Sequence, residues 1–199
     1  MNSRLYLYDF DGTLTHGDTM LALARYYKGS IRLYAFFLLY APLLILMKLG
    51  FYSNSRMKEH FLHHFFGGLS IVMFNRICEQ FAVANIAMVR KKALHHLAMV
   101  NEERARAIIV SASCVNWVEA LMRQFDVKIE IVGTELEVEN GLITGHLATP
   151  NCYGAEKVRR VEALISDRSQ LTVIAFGDSR GDKELLQYAD ESHYKPFRP

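Results

Sequence analysis

One stretch constrains this chain more than any other: Tyr8-Asp9-Phe10-Asp11-Gly12-Thr13-Leu14-Thr15, at the end of its first apolar run. Leu5, Tyr6, Leu7 and Tyr8 are continuous and β-favouring, so they read as a short buried strand closed by a glycine turn. On an extended backbone Asp9 and Asp11 project to the same side, and Gly12 permits the sharp exit that follows. Two carboxylates this close repel each other unless a cation or a shared proton intervenes. Oxygen ligands favour a hard divalent ion, with magnesium the first choice. A calcium-binding EF-hand loop does not fit, because the fifth position from Asp9 is Thr13 and the twelfth is Met20.

The 199 residues suit one α/β domain carrying an insertion. With 51% hydrophobic residues and a net charge of only +2, a nucleic-acid partner is not expected. Cys78, Cys114 and Cys152 are odd in number and lack C-x-x-C spacing, so neither a disulfide framework nor a zinc site is suggested and a reducing, cytoplasmic setting fits. Arg4 precedes only four apolar residues before two acids, which is not the pattern of a signal peptide. Nothing in the composition sets an oligomeric state.

After the acidic loop, Asp18 is placed to cap a helix through residues 20–27, and Gly29-Ser30 interrupts it. The segment 33–47, from Leu33 to Met47, has no polar side chain except two tyrosines and is bracketed by Arg32 and Lys48. Fifteen helical residues reach roughly 22 Å, short of the ~30 Å hydrocarbon core. Pro42 is expected to kink the run. The pattern favours a buried helical hairpin. The alternatives are peripheral membrane contact with Arg32 and Lys48 snorkelling, and a tilted span. Residues 53–100 stay helical in pattern. His60, His63 and His64 lie at helical spacing, as do His95 and His96, but no H-E-x-x-H motif accompanies them and a solvated or substrate-facing surface is expected.

Strand signals resume at residues 107–111, followed by Ala112-Ser113, a helix near 115–125 and a strand at 128–132. Glu139-Asn140-Gly141 between two alternating runs signals a hairpin. Gly154 precedes a helix carrying Lys157, and the apolar run 171–176 ends in Gly177-Asp178-Ser179-Arg180-Gly181-Asp182. A helix at 183–188 and an edge strand near 192–195 complete the pattern. Alternating strands and helices imply a parallel sheet with right-handed crossovers, whose ligand crevice lies at the carboxyl ends of the strands. Asp9, Asp11, Ser111 and Asp178 all fall at such ends.

This constellation suits phosphoryl transfer, which needs a nucleophile, charge neutralisation and protonation of the leaving oxygen. Asp9 fits as nucleophile and Asp11 as general acid and base. Magnesium would sit on Asp9, Asp178 and the Asp11 carbonyl. Ser111, the amide at Ala112 and the Lys157 ammonium would hold phosphate oxygens, and Asp182 would act as a supporting acid. Within G-D-S-x-x-D, the Arg180-Gly181-Asp182 tripeptide is not read as an adhesion motif.

The segments Asp9-Phe10-Asp11-Gly12-Thr13-Leu14-Thr15, Val110-Ser111-Ala112-Ser113, Gly154-Ala155-Glu156-Lys157 and Gly177-Asp178-Ser179-x-x-Asp182 resemble, in order, the four motifs of the haloacid dehalogenase superfamily. The resemblance implies a Rossmann-like α/β core with a parallel sheet (residues 1–16 and 101–199) and an inserted all-helical type-one cap (residues 17–100). Such an arrangement is similar to the phosphoserine phosphatase-like members. It implies a magnesium-dependent phosphomonoesterase acting through an aspartyl-phosphate, supported by Gly12 and Thr13. Asp18 stands where phosphoserine phosphatases carry a glutamate for the substrate amine, and Arg56 and Lys58 compete for the role of carboxylate-binding cation. The apolar run at 33–47 is instead similar to phosphatidylglycerophosphate phosphatase-like caps, which implies a lipid headgroup as substrate. Other readings are a phosphorylated small molecule, a phosphotransferase on the same fold, and a binding module that has lost catalysis.

Overall fold

A computed structural model describes residues 3–198. The first strand, β1 (Ser3–Tyr8), lies at the centre of a five-stranded sheet in the order β3-β2-β1-β6-β7, with β2 (Arg106–Cys114), β3 (Glu130–Thr134), β6 (Leu171–Gly177) and β7 (Glu191–Tyr194). All four pairings are parallel. The three central strands are buried on both faces, and their side chains divide by the two-residue period of an extended chain. Leu5, Leu7, Ile108, Val110, Val173 and Ala175 enter one hydrophobic cluster. Tyr6, Tyr8, Ala107, Ile109, Ile174 and Phe176 enter the other.

Helix α8 (Ala155–Glu162) and helix α9 (Lys183–Tyr188) cover the first face through Val161 and Leu185. On the second face lie α6 (Lys91–Glu102) and α7 (Val115–Met122), contributing Leu97, Trp117 and Leu121. This is a Rossmann-like α/β fold. Because β2 and β6 flank β1 on opposite sides, the connections diverge at β1, and the crevice opens at the carboxyl end of that strand.

Between β1 and β2 the chain also forms α1 (Thr19–Lys28), α2 (Ser30–Leu39), α3 (Ala41–Lys48), α4 (Asn54–Phe66) and α5 (Ile71–Ala84). Asp18, Ser53 and Ser70 each accept a bond from the first turn of the helix they precede, as N-caps do. Their apolar faces continue the core: Phe74 of α5 meets the Trp117 ring edge-on at 6.4 Å between centroids. The chain leaves and re-enters the sheet layer through two paired segments. Thr15 bridges Val89, His16 N–H donates to the Met88 carbonyl, and Arg90 N–H donates to the Leu14 carbonyl.

The hairpin signal is realised as β4 (Leu136–Glu139) and β5 (Leu142–Leu147), with Asn140 and Gly141 both at positive φ, the turn that matches strand twist. It leans on the helical insertion, where Gly68 N–H donates to the Ile143 carbonyl and His63 Nδ1 lies 2.8 Å from the Thr144 carbonyl.

The segment 33–47 departs from expectation. It is not a buried hairpin: only Leu33 and Phe36 are buried in α2, and no residue of α3 is. The break falls at Tyr40, with the helices bent by 65°, and Pro42 sits in the first turn of α3, where its missing N–H costs nothing. Among the described residues no single helix is long and apolar enough to cross a membrane; the bent pair passes that test by length and composition only.

Candidate active site

The sharp exit predicted after β1 is present. Gly12 adopts φ +81°, and a β-carbon there would come within 2.9 Å of the Asp178 carboxyl carbon. This turn aims the two acids of the motif at different partners. Asp9 is buried and accepts hydrogen bonds from Lys157 Nζ at 2.6 Å and from the Thr13 hydroxyl at 3.1 Å. Asp11 faces the helical insertion, accepting from both the backbone N–H and the hydroxyl of Thr19 at 2.7 Å, and from the Ser113 hydroxyl. Trp117 Nε1 donates to the same Thr19 hydroxyl at 3.0 Å, fixing that arrangement from the core.

Lys157 comes from the first turn of α8 and is fully buried between two carboxylates, Asp9 and Asp182, each at 2.6 Å. Burial opposes its charge, but Asp9 and Asp182 outweigh that and hold the ammonium above its ordinary pKa. At Asp182 burial is outweighed by Lys157 and by bonds from Ser179, so this carboxyl stays below its usual range. Asp9 bears the remaining cost: burial, against the pull of Lys157 and with the push of Asp182 and Asp11, raises its carboxyl to about 7. One ammonium therefore serves two buried acids and is insufficient for both.

Asp182 also accepts at Oδ2 from the N–H groups of Asp178 and Ser179 and from the Ser179 hydroxyl, so it fixes the loop after β6. Asp9, Asp178 and Asp182 each offer an oxygen, all within 4.8 Å of one another. This all-oxygen, under-neutralised set fits a hard divalent cation. Asp9 and Asp178 are two of the three expected ligands, and Asp182, expected as a supporting acid, stands beside them. The third expected ligand is the Asp11 backbone carbonyl, and the Asp11 carboxylate is bonded to Thr19 and Ser113. The Arg198 guanidinium rests on Asp178 Oδ2, a partner that the motif pattern did not disclose.

A cavity of about 210 Å³ opens over this centre, with Asp9, Asp11, Ser111, Ala112, Lys157 and Asp182 among its lining. The second strand continues past Ser111 to Cys114 with a register shift, and Ser113 N–H donates to the Ser111 hydroxyl at 3.0 Å. From the helical insertion, Asp18, Met20, Asn54 and Lys58 complete the walls. Lys58 reaches across to the Ala112 carbonyl at 2.6 Å and Asn151 Oδ1 at 2.7 Å. Arg56 is exposed and outside this lining, so of the two competing cations only Lys58 is brought to the pocket. They stand two apart on α4, about 200° around the helix, so only one can face inward.

The histidine-rich stretch builds no metal centre among the described residues. His60 bonds the Tyr52 hydroxyl at 2.8 Å, and His96 takes the Tyr8 hydroxyl at 3.0 Å. Sequence reasoning also missed Arg90, a buried guanidinium donating from Nε to the Thr15 carbonyl at 2.9 Å and from Nη2 to the Gly12 carbonyl at 3.4 Å.

The family model of haloacid dehalogenase-like hydrolases matches residues 6–187. The chain belongs to this family. As a haloacid dehalogenase-like hydrolase it is an enzyme, and its relatives agree with the fold described above. Protein CicA of Caulobacter vibrioides is 29% identical over 196 residues, spanning 98% of this chain and 86% of that protein. A Bordetella pertussis Tohama I protein of unknown function has a similar structure, with a TM-score of 0.81 and 20% identity over 96% of this chain and 89% of that one. A substrate-bound phosphoserine phosphatase gives a TM-score of 0.64 at 16% identity, over 98% of this chain and 86% of its own. Both structures are similar to this chain in fold over nearly its whole length.

Proposed function

We propose that the protein is a magnesium-dependent phosphomonoesterase that works through an aspartyl-phosphate on Asp9. The observation that carries this reading is the buried Asp9–Lys157–Asp182 arrangement opening on the same cavity as Ser111 and Asp11. Asp9, Asp178 and the Asp11 carbonyl would hold the magnesium ion, with Asp182 supporting them; when bound, the ion would neutralise charge between carboxylate and phosphate. The Ser111 hydroxyl, the Ala112 amide and Lys157 hold phosphate oxygens, with Gly12 and Thr13 shaping the loop.

An Asp9 carboxylate oxygen attacks phosphorus, forming an acyl-phosphate while the P–O bond to the alcohol breaks. The departing oxygen takes the Asp11 proton. Water then attacks the same phosphorus, gives its proton back to Asp11, and inorganic phosphate leaves with Asp9 restored. The hydrogen bonds from Thr19 and Ser113 orient the Asp11 carboxyl for both transfers.

For the leaving group we favour a lipid phosphate such as phosphatidylglycerophosphate. The support is the exposed apolar α2–α3 segment, whose following loop leads into pocket-lining Asn54. One observation favours a small phosphomonoester such as phosphoserine instead. Asp18 and Lys58 line the same pocket with opposite charges, suited to an amine and a carboxylate. The cap of residues 17–100 is better ended near Val89, because α6 packs on the sheet through His96, 5.9 Å from the Tyr6 ring.

The test is hydrolysis of phosphatidylglycerophosphate, phosphoserine and sugar phosphates, with and without liposomes. Wild-type turnover is expected to need magnesium and to vanish in Asp9→Asn. Full turnover after exhaustive chelation, or in Asp9→Asn, overturns the mechanism. Preference for phosphoserine with no liposome effect overturns the lipid substrate, and product transfer to an added alcohol in place of water marks a phosphotransferase.

A further inference from the structure

The α2–α3 segment is anchored on one face through Leu33 and Phe36 and left bare on the other. Leu33 and Phe36 are buried, and the Phe36 ring packs against Tyr40, Phe61 and Phe65 with centroids 4.3, 5.1 and 5.6 Å apart. Opposite them, Ile31 is 86% exposed, Leu38 81%, Leu39 70%, Ile45 59% and Phe51 80%. Single exposed apolar residues are ordinary, but a run of this length marks a surface that something covers.

Length and charge identify what covers it. At 1.5 Å per residue α2 and α3 extend only about 15 and 12 Å, so neither alone reaches across the ~30 Å hydrocarbon core, and the two axes are bent by 65° rather than joined in one straight span. Between Asp18 and Glu59 the sequence contains no acid at all, while Arg25, Lys28, Arg32, Lys48, Arg56 and Lys58 are its charges. Arg25, Arg32, Lys48 and Arg56 are exposed. A second copy docking through the same surface would set these cations against themselves, since a two-fold interface pairs each patch with its own twin. An apolar face on a segment whose own charges are all cationic instead complements an anionic membrane surface.

We propose that this arm docks the protein on an anionic lipid bilayer. It lies in the interfacial plane, with Ile31, Leu38, Leu39, Ile45 and Phe51 among the upper acyl chains and Arg32 and Lys48 at the phosphates. Phe51 precedes pocket-lining Asn54 by three residues, at most about 11 Å of chain, so docking brings the pocket close to the headgroups. The docking stands independently of the phosphatase reading; its use in reaching a lipid substrate rests on it.

Flotation of the full chain with vesicles of phosphatidylcholine alone, or with added phosphatidylglycerol, tests the proposal. The protein is expected to float with the anionic vesicles and to be released by salt. Replacing both Leu38→Ser and Leu39→Ser, which removes no buried contact, is expected to weaken binding at least about tenfold. Hydrolysis of soluble para-nitrophenyl phosphate by that variant is expected to match wild type. Asp9→Asn is expected to float normally while losing turnover, whereas a wild-type chain that floats but shows no phosphatase activity would sink the catalytic reading and leave the docking intact. Failure to float, flotation unchanged in the double variant, or a dimer without vesicles that the double variant dissolves would each overturn the docking.

Discussion

Replacing Lys157 by Met tests the centre of the site most directly. The side chain is buried with its ammonium 2.6 Å from both Asp9 and Asp182, and Met fills nearly the same volume without charge. The two acids are left unequal. Asp182 keeps the donors Asp178 N–H, Ser179 N–H and the Ser179 hydroxyl, whereas Asp9 keeps only the Thr13 hydroxyl among its side-chain partners described here. Removing one partner of a buried ion pair costs about 3–5 kcal/mol, out of about 5–15 kcal/mol for a whole domain. Asp9 limits the loss by taking up a proton. An acid whose folded pKa lies above its unfolded value binds protons more tightly when folded, so stability falls as pH rises from 3.8 through the folded value. The variant, with Lys157 gone, pushes Asp9 higher than about 7 and extends that fall. Urea unfolding in a chelating buffer should therefore show a larger deficit at pH 8 than at pH 5, and Asp9→Asn added to Lys157→Met should recover part of it. A deficit under about 1 kcal/mol at pH 8, or no recovery in the double variant, would refute the account of a buried, under-neutralised pair.

Gly12→Ala combines a positive φ with a β-carbon that intrudes on Asp178, so it should cost about 1–3 kcal/mol and weaken magnesium binding in titration calorimetry. Arg198→Ala frees Asp178 of its guanidinium partner and should tighten magnesium or manganese binding, measured by calorimetry independently of turnover. Glu156, held at about 2 by Arg159 and Arg160 against an ordinary carboxyl value of 4.5, contributes stability that is complete above pH 4.5 and lost as pH falls toward 2. Glu156→Gln should thus be destabilised by on the order of 1–2 kcal/mol at pH 7, after allowing for solvent screening, and match wild type near pH 2.

Much of the core could be read from local pattern. The Leu-Tyr-Leu-Tyr strand, the Asn140-Gly141 hairpin and the 183–188 helix follow from periodicity and turn chemistry, which are properties of neighbours in sequence. The meeting of Asp9 with Lys157, separated by 148 positions, was legible only through the order of motifs. What failed were questions of area and direction. An apolar run such as 33–47 has the same composition whether covered or bare, and the outcome depends on how much surface α4 and α5 have left to cover it. Arg198 and Arg90 gave no signal, because a cation bonded to carbonyls or to a distant carboxylate has no sequence period. The helical turn alone forbids Arg56 and Lys58 from both facing inward, but which of them does so is fixed by how α4 docks, which brings Lys58 to the Ala112 carbonyl and Asn151.

The paired crossing segments have a mechanical consequence. Two strands laced by the Thr15–Val89 bridge and by the Arg90 guanidinium, which also grips the Gly12 carbonyl, behave as a stiff torsion rod rather than a string. A twist of the helices beyond them would therefore be carried to the loop bearing Asp11 rather than lost in a slack linker.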